Sequence, residues 1–391
     1  MPQTNTSAPL SLAVAGRDII GTGGGAVLVN TVKEFVKRGH NVTVVADYDV
    51  SSVLPDIPLH VMPFGENLRK WSPKTQAGRT FRFFLRLFLF SFYGRFQLLK
   101  LERKGWLSID HNLEAFGGNI CVMHNVFLQD FLISKRFIRL LSPGAVFRLI
   151  RERLVLPRKY VKAIVSVSSG TVKEIICHYR PPQPVTYVHN GVDSARFSPA
   201  TDDERASFLT KLGFNSEDFH LLFVGHEFKR KGLHFILEAL PLLPSHVKLL
   251  VVGGRMDNIN DYKEMTRRLD IENRVFFLGT RSDVPSFYSC CDAFVFPSSY
   301  ETFALVVMEA MACGSAVLST KVCGVEDYLI DSENGLFIER SGKDIADKIQ
   351  VLMENPALRS RIKQKARETA RQYTWRKCAE GYLSVIHKIA L

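Results

Sequence analysis

DAFVFPSSYETFALVVMEAMACGSAVLST, residues 292–320, packs two apolar runs and a long apolar segment around two glutamates. DAFVF predicts a short buried strand, PSS a turn, and SAVLST a second buried strand. FALVVMEAMAC between them is long enough for a helix, and Gly314 supplies its C-terminal stop. That helix is apolar nearly all round, so it is expected inside. Glu309 nevertheless stands in its middle, within about a turn of Leu305, Val306, Ala312 and Cys313. A buried carboxylate is costly unless it is paired or hydrogen-bonded. Glu301 precedes the helix. The N–H groups of Thr302, Phe303, Ala304 and Leu305 then face whatever Glu301 faces, and such a helix end attracts phosphate. The unit reads as a phosphate cradle with one carboxylate below it and one beside it. An ordinary strand–helix–strand unit with a salt-bridged Glu inside is the plainer alternative.

Working upstream, the same logic recurs. HLLFVGHEFKRKGLHFILEALPLLP (220–244) reads as strand, basic loop and helix, with Arg230-Lys231-Gly232 between strand and helix. Two fixed cations and helix N–H groups can offset the charges of a leaving diphosphate. A solvated charge cluster is the bland reading. KLLVVGG and RVFFLG are further strands, YKEMTRRLDI and DVPSFYSCC are helical, and NGLFIE is a last strand. Near the start, LSLAVAG (10–16), the glycine loop RDIIGTGGG, the helix AVLVNTVKEFVKRGH and the strand NVTVVA make a right-handed parallel unit. Gly23, Gly24 and Gly25 let backbone approach a ligand closely, although a tight turn alone also explains them. The order G-T-G-G-G is not the G-x-G-x-x-G dinucleotide fingerprint. DYD (47–49) directly follows a strand of this unit and is read as part of it, not as a metal site. His124 ends the strand ICVMH, at the edge where ligands of parallel sheets gather. His111, after LSID, is the alternative. PPQPVTYVHNGVDSARFSPATDDE (181–204) is a Pro- and Gly-rich boundary, with Asn190 and Asp193 read as hinge residues.

PSxxExFxLxxxEAMAxGxxV, with its E-x7-E spacing, resembles the retaining glycosyltransferases of family four. F-x-R-K-G is similar to the pattern of that family's lipopolysaccharide core glucosyltransferases, and VHNGVDxxRFxP and RGHxV fit the family too. The resemblance is strong over 185–375 and weak over 50–105. It implies an α/β fold of the GT-B kind, two Rossmann-like domains facing each other across a cleft. The expected division is 1–190, an acceptor- and membrane-facing domain; 191–373, a nucleotide-sugar domain; and 374–391, a helix returning to the first domain, anchored by Trp375. It implies sugar transfer from a nucleotide diphosphate donor, UDP by preference, with retained configuration and no metal or other cofactor. The implied reaction-centre residues are His124, Arg230, Lys231 and Glu301. Gly24, Gly25, Arg281, Ser282, Thr302, Phe303, Ala304, Leu305 and Glu309 are the implied donor contacts, Glu309 at the ribose hydroxyls. The implied acceptor is lipid-linked or a cell-envelope glycan. An epimerase or hydrolase on the same fold, and a non-catalytic membrane-associated partner, are the rival readings.

Composition is that of a globular chain of two or more domains, with 391 residues and 46% hydrophobic. The seven cysteines show no C-x2-C spacing, which speaks against a zinc site or a disulfide framework. No signal peptide or transmembrane helix is expected, and the cytoplasm is the expected compartment. The net charge of +12 is uneven: residues 1–190 hold 25 Lys+Arg against 12 Asp+Glu, and residues 191–391 hold 26 against 27. The excess lies in two segments rich in bulky apolar residues, 79–104 and 134–162. There, the sequence predicts a face lying on an anionic membrane, with Phe and Leu buried at the headgroups and Arg79, Arg82 and Arg86 reaching phosphate. A core helix with a basic edge is the alternative. No nucleic-acid-binding module accompanies the charge.

Overall fold

The computed structural model describes residues 8–134, 142–254 and 256–390. They form two compact units, Met1–Gly191 with Trp375–Leu391, and Val192–Thr374.

The first unit is built on a parallel sheet of seven strands: β1 Ser11–Gly16, β2 Asn41–Ala46, β3 Leu59–Val61, β4 Leu107–His111, β5 Ile120–Met123, β6 Ala163–Ser166 and β7 Val185–Tyr187. Their order is β3-β2-β1-β4-β5-β6-β7. Apolar runs such as LAVAG suit strands covered on both faces. The chain steps outward from β1 through β2 and β3, then restarts on the other side at β4. The β1/β4 gap is therefore the topological switch point, where such sheets bind ligands at their C-terminal edge.

The helix after β1 runs Gly23–Lys37, three residues longer at its start than apolar periodicity predicts. Thr22 explains the difference, because its Oγ1 accepts the Gly25 N–H at 3.0 Å and caps the first turn. After β3 comes a short helix, Gly65–Lys70. The C-terminal helix Trp375–Ala390 supplies Tyr382 and Ile386 to the same core as Val32 and Phe35 of the first helix.

The Phe-rich segment is one helix, Gln76–Glu102, capped by Thr75. Its inner face carries Leu87, Phe90, Leu98 and Leu101, while Phe81, Phe88, Phe92 and Phe96 are exposed. The arginines correct the expected arrangement. Arg86 is buried, paired with Asp47 and, at 2.9 Å, with Asp18. Arg82 donates to the carbonyls of Arg69 and Trp71, and Arg95 pairs with Glu102 at 3.0 Å. The long side chains reach inward to carboxylates and carbonyls, since a buried guanidinium needs such partners. The outer face is thus mainly aromatic. Of the second basic segment, 134–162, residues 135–141 lie outside the described residues; the helix Pro143–Val155 buries Arg151 and exposes Ile150 and Leu154. No helix among the described residues is long and apolar enough to cross a membrane.

The second unit has six parallel strands: β8 Phe219–Val224, β9 Val247–Val252, β10 Val275–Gly279, β11 Ala293–Phe296, β12 Ala316–Ser319 and β13 Leu336–Phe337. They are ordered β10-β9-β8-β11-β12-β13, which puts its switch point between β8 and β11. The helix after β11 is Leu305–Ala312, shorter than FALVVMEAMAC, because Ala304 adopts a left-handed conformation at φ 57° that no helix can include.

Candidate active site

In the second unit the loops that leave β8 and β11 are fastened together at the switch point. Arg230 Nη1 donates to Glu301 Oε1 at 2.8 Å and also to the Tyr300 carbonyl. The Ser299 N–H donates to the Arg230 carbonyl at 2.9 Å, and Ser298 Oγ to Glu301 at 3.0 Å. Lys231 Nζ lies 3.8 Å from Glu301 and 4.5 Å from the centre of the Phe296 ring. Burial holds its ammonium below the usual lysine range, and Glu301 works against that shift. Gly232 completes the turn at φ 76°, and a Cβ there would sit 2.2 Å from the Pro297 carbonyl oxygen. Only glycine satisfies both the angle and the approach. Arg230 and Lys231 are therefore not two free cations. Glu301 holds both, and Glu227 takes a second hold on Arg230 at 2.8 Å.

Thr302, Phe303 and Ala304 follow as a backbone bend that leads into Leu305, the first residue of the helix. Phe303 is buried, and its carbonyl accepts the Tyr328 hydroxyl at 2.8 Å. Gly324 presses on this bend, where a Cβ would lie 2.3 Å from the Thr302 carbonyl oxygen. Glu309 is partly buried inside the helix, and this burial pushes its carboxyl up to about 7. Tyr288 donates its hydroxyl to Glu309 at 3.2 Å and, with Arg196 and Lys231, pulls the other way. Arg281 pairs with Asp283 at 2.7 Å beside an exposed Ser282. The arrangement offers a cation pair, helix N–H groups and an acceptor carboxylate, the requirements of a nucleoside diphosphate.

In the first unit, His111 and His124 come together. His111 Nδ1 and His124 Nε2 are 2.7 Å apart, with the rings stacked. Burial pushes His124 down to about 4 and holds His111 well below the usual range. Both rings are neutral at pH 7, so one donates and the other accepts. Gly24 lies against this pair; a Cβ there would meet the His124 ring at 3.3 Å. Gly25 serves the chain itself, since a Cβ would lie 2.0 Å from the Ile19 carbonyl oxygen. Asp47 of DYD is held by Arg86, and Asp49 accepts the Ser51 N–H at 2.8 Å.

Sequence reasoning missed Glu227, Ser298 and Tyr288. Glu227 and Ser298 adjoin motif residues, and that adjacency was the available signal. Tyr288 had none, because only the fold brings its helix to Glu309.

Comparison with known proteins gives the family. The family described as Glycosyltransferase Family 4 matches residues 21–196, and Glycosyl transferases group 1 matches residues 204–369. Together these matches take in most of the chain, which belongs to the glycosyltransferases of family four and has the GT-B fold. One relative is the N,N'-diacetylbacillosaminyl-diphospho-undecaprenol alpha-1,3-N-acetylgalactosaminyltransferase of Campylobacter jejuni, 28% identical over 51% of this chain and 53% of its own length. An uncharacterized glycosyltransferase of Methanocaldococcus jannaschii is 30% identical over 45% of this chain and 50% of its own. The alignments span only 49–63% of the length of the curated relatives. Among solved structures, WaaG, a glycosyltransferase involved in lipopolysaccharide biosynthesis, aligns at TM-score 0.76 with 20% identity, over 96% of this chain and 99% of that one. Anabaena HepE, solved with UDP and glucose, aligns at 0.73 with 17% identity, over 97% and 99%.

Proposed function

We propose that this glycosyltransferase moves a sugar from a UDP-sugar to a lipid-linked or cell-envelope acceptor, with retention of configuration and without a metal. The observation that carries the reading is the Arg230–Lys231–Glu301 cluster at the β8/β11 switch point, one helix away from the raised carboxyl of Glu309. Arg230 and Lys231 stabilise the departing diphosphate. Glu301 fixes their positions, and Glu309 accepts the ribose hydroxyls. The sugar C1–O bond to phosphate breaks, the acceptor oxygen bonds to C1 on the same face, and the acceptor proton passes to the leaving phosphate. The protein's part is then positioning and electrostatic stabilisation. His124, neutral and held by His111, orients a sugar hydroxyl. UDP is favoured because the Anabaena neighbour was solved with it. A lipid-linked acceptor is favoured because the Campylobacter relative's name carries one. The exposed Phe ridge of the helix Gln76–Glu102 then rests on the membrane that holds such an acceptor.

Thermal unfolding of the full chain with UDP-, GDP- and ADP-sugars tests the donor. A ligand that binds the native state raises Tm by mass action. The UDP-sugars should raise it most, and equal curves for all three classes would remove the donor assignment.

A further inference from the structure

The first unit holds a second concentration of guanidinium charge, on its own switch-point edge. Arg17 leaves the end of β1, and Arg148 comes from the helix Pro143–Val155. Both guanidinium carbons lie over the ring of Phe83, at 5.0 and 4.9 Å from its centre. Like charges gathered on one ring call for counter-charge. Arg17 has Asp18 at 2.7 Å and Glu114 at 3.6 Å. Asp18 is already shared with Arg86 at 2.9 Å. Arg148 has no ion-pair partner among the described residues, and its Nε is buried without a hydrogen bond. Its other neighbour is the Phe127 ring, 5.5 Å away. Burial pushes Arg148 down to about 10, with Arg17 adding to the shift and Glu114 and Asp18 opposing it, so it stays charged at neutral pH. One turn further along the helix, Arg151 donates to the carbonyl of Asn112, the residue after β4, at 3.0 Å. That bond ties the helix to the edge that carries His111 and His124.

A cation in an aromatic frame with no ion-pair partner of its own is costly to the fold, and a ligand of opposite charge relieves it. A guanidinium fork matches phosphate oxygens in particular. We propose that Arg148, with Arg17, forms a subsite for a phosphate or diphosphate group of the acceptor. Calling the ligand an acceptor rests on the glycosyltransferase reading; the anion subsite itself does not need it.

The test uses the full chain carrying Arg230→Ala and Lys231→Ala, which silences phosphate binding in the second unit. Pyrophosphate titrated into this protein should still bind. Adding Arg148→Gln should weaken that binding at least tenfold, and Arg148→Lys should restore part of it. Equal affinity with and without Arg148→Gln would overturn the subsite. Thermal unfolding supplies a second readout. Arg148→Met removes an unpaired charge and should leave Tm unchanged or higher; a clear fall would make Arg148 part of the scaffold and overturn the proposal. Phosphatidylcholine vesicles with and without a polyprenyl diphosphate separate the two sources of the anion. Arg148-dependent capture of the loaded vesicles assigns a lipid, and pyrophosphate binding without capture assigns a water-soluble phosphate. Pyrophosphate binding through Arg148 can be measured even on a chain that binds no nucleotide, so the two readings fail separately.

Discussion

Glu309 carries its proton more tightly in the folded protein than in the unfolded chain, because burial pushes its carboxyl up to about 7. The consequence for stability has a definite sign. Its contribution is complete below the ordinary carboxylate range and is lost as pH rises through about 7, where the buried group must ionise. Nucleotide binding runs the other way. Ribose hydroxyls donate more strongly to an ionised carboxylate than to the neutral acid, so affinity should climb as pH approaches 7 and level off above it. Glu309→Gln should flatten both dependences and weaken nucleotide binding by about 1–3 kcal/mol. Denaturant unfolding and calorimetry at pH 5, 6, 7 and 8 check this. Parallel pH slopes in the two proteins would show that Glu309 does not titrate in this window.

The Phe-rich helix shows how a face is read from one element and decided by others. Its amphipathic pattern was legible, since Leu87, Phe90 and Leu98 recur at helical spacing and do face the core. Which way its arginines point was not legible. Arg86 turns inward because Asp47, at the end of β2, is buried beneath it, and nothing local to residues 79–104 records that. The same limit hid Tyr288 from Glu309, separated by 21 residues and a strand. By contrast, Arg230, Lys231 and Gly232 stand together in one local pattern between a strand and a helix and were legible, whereas the hold of Glu301 on Arg230, 71 residues away, was not. The membrane prediction changes accordingly. Binding to vesicles should depend on the exposed rings more than on charge. Phe88→Ser, Phe92→Ser and Phe96→Ser together should abolish co-sedimentation with phosphatidylglycerol vesicles while leaving Tm near wild type. Arg79→Ser, on the exposed edge, should reduce it only slightly. Full retention by the triple variant would leave the ridge without a membrane role.

At the scale of the molecule, each unit places its chemistry at one sheet edge, and the chain end belongs with its beginning. Tyr382 and Ile386 complete the core formed by Val32 and Phe35. Truncation after Thr374 should therefore unfold the first unit and spare the second, visible by limited proteolysis as a protected fragment near Val192–Thr374. Survival of both units would show that the last helix is dispensable. On the proposed reading, the β8/β11 switch point of the second unit holds a nucleoside diphosphate between Arg230, Lys231 and Glu309. Calorimetric titration of UDP into the wild-type chain and into the Arg230→Ala, Lys231→Ala variant tests it most directly. The wild-type protein should show a single site, weakened at least tenfold in the variant. Equal affinity for UDP in the two proteins would contradict it.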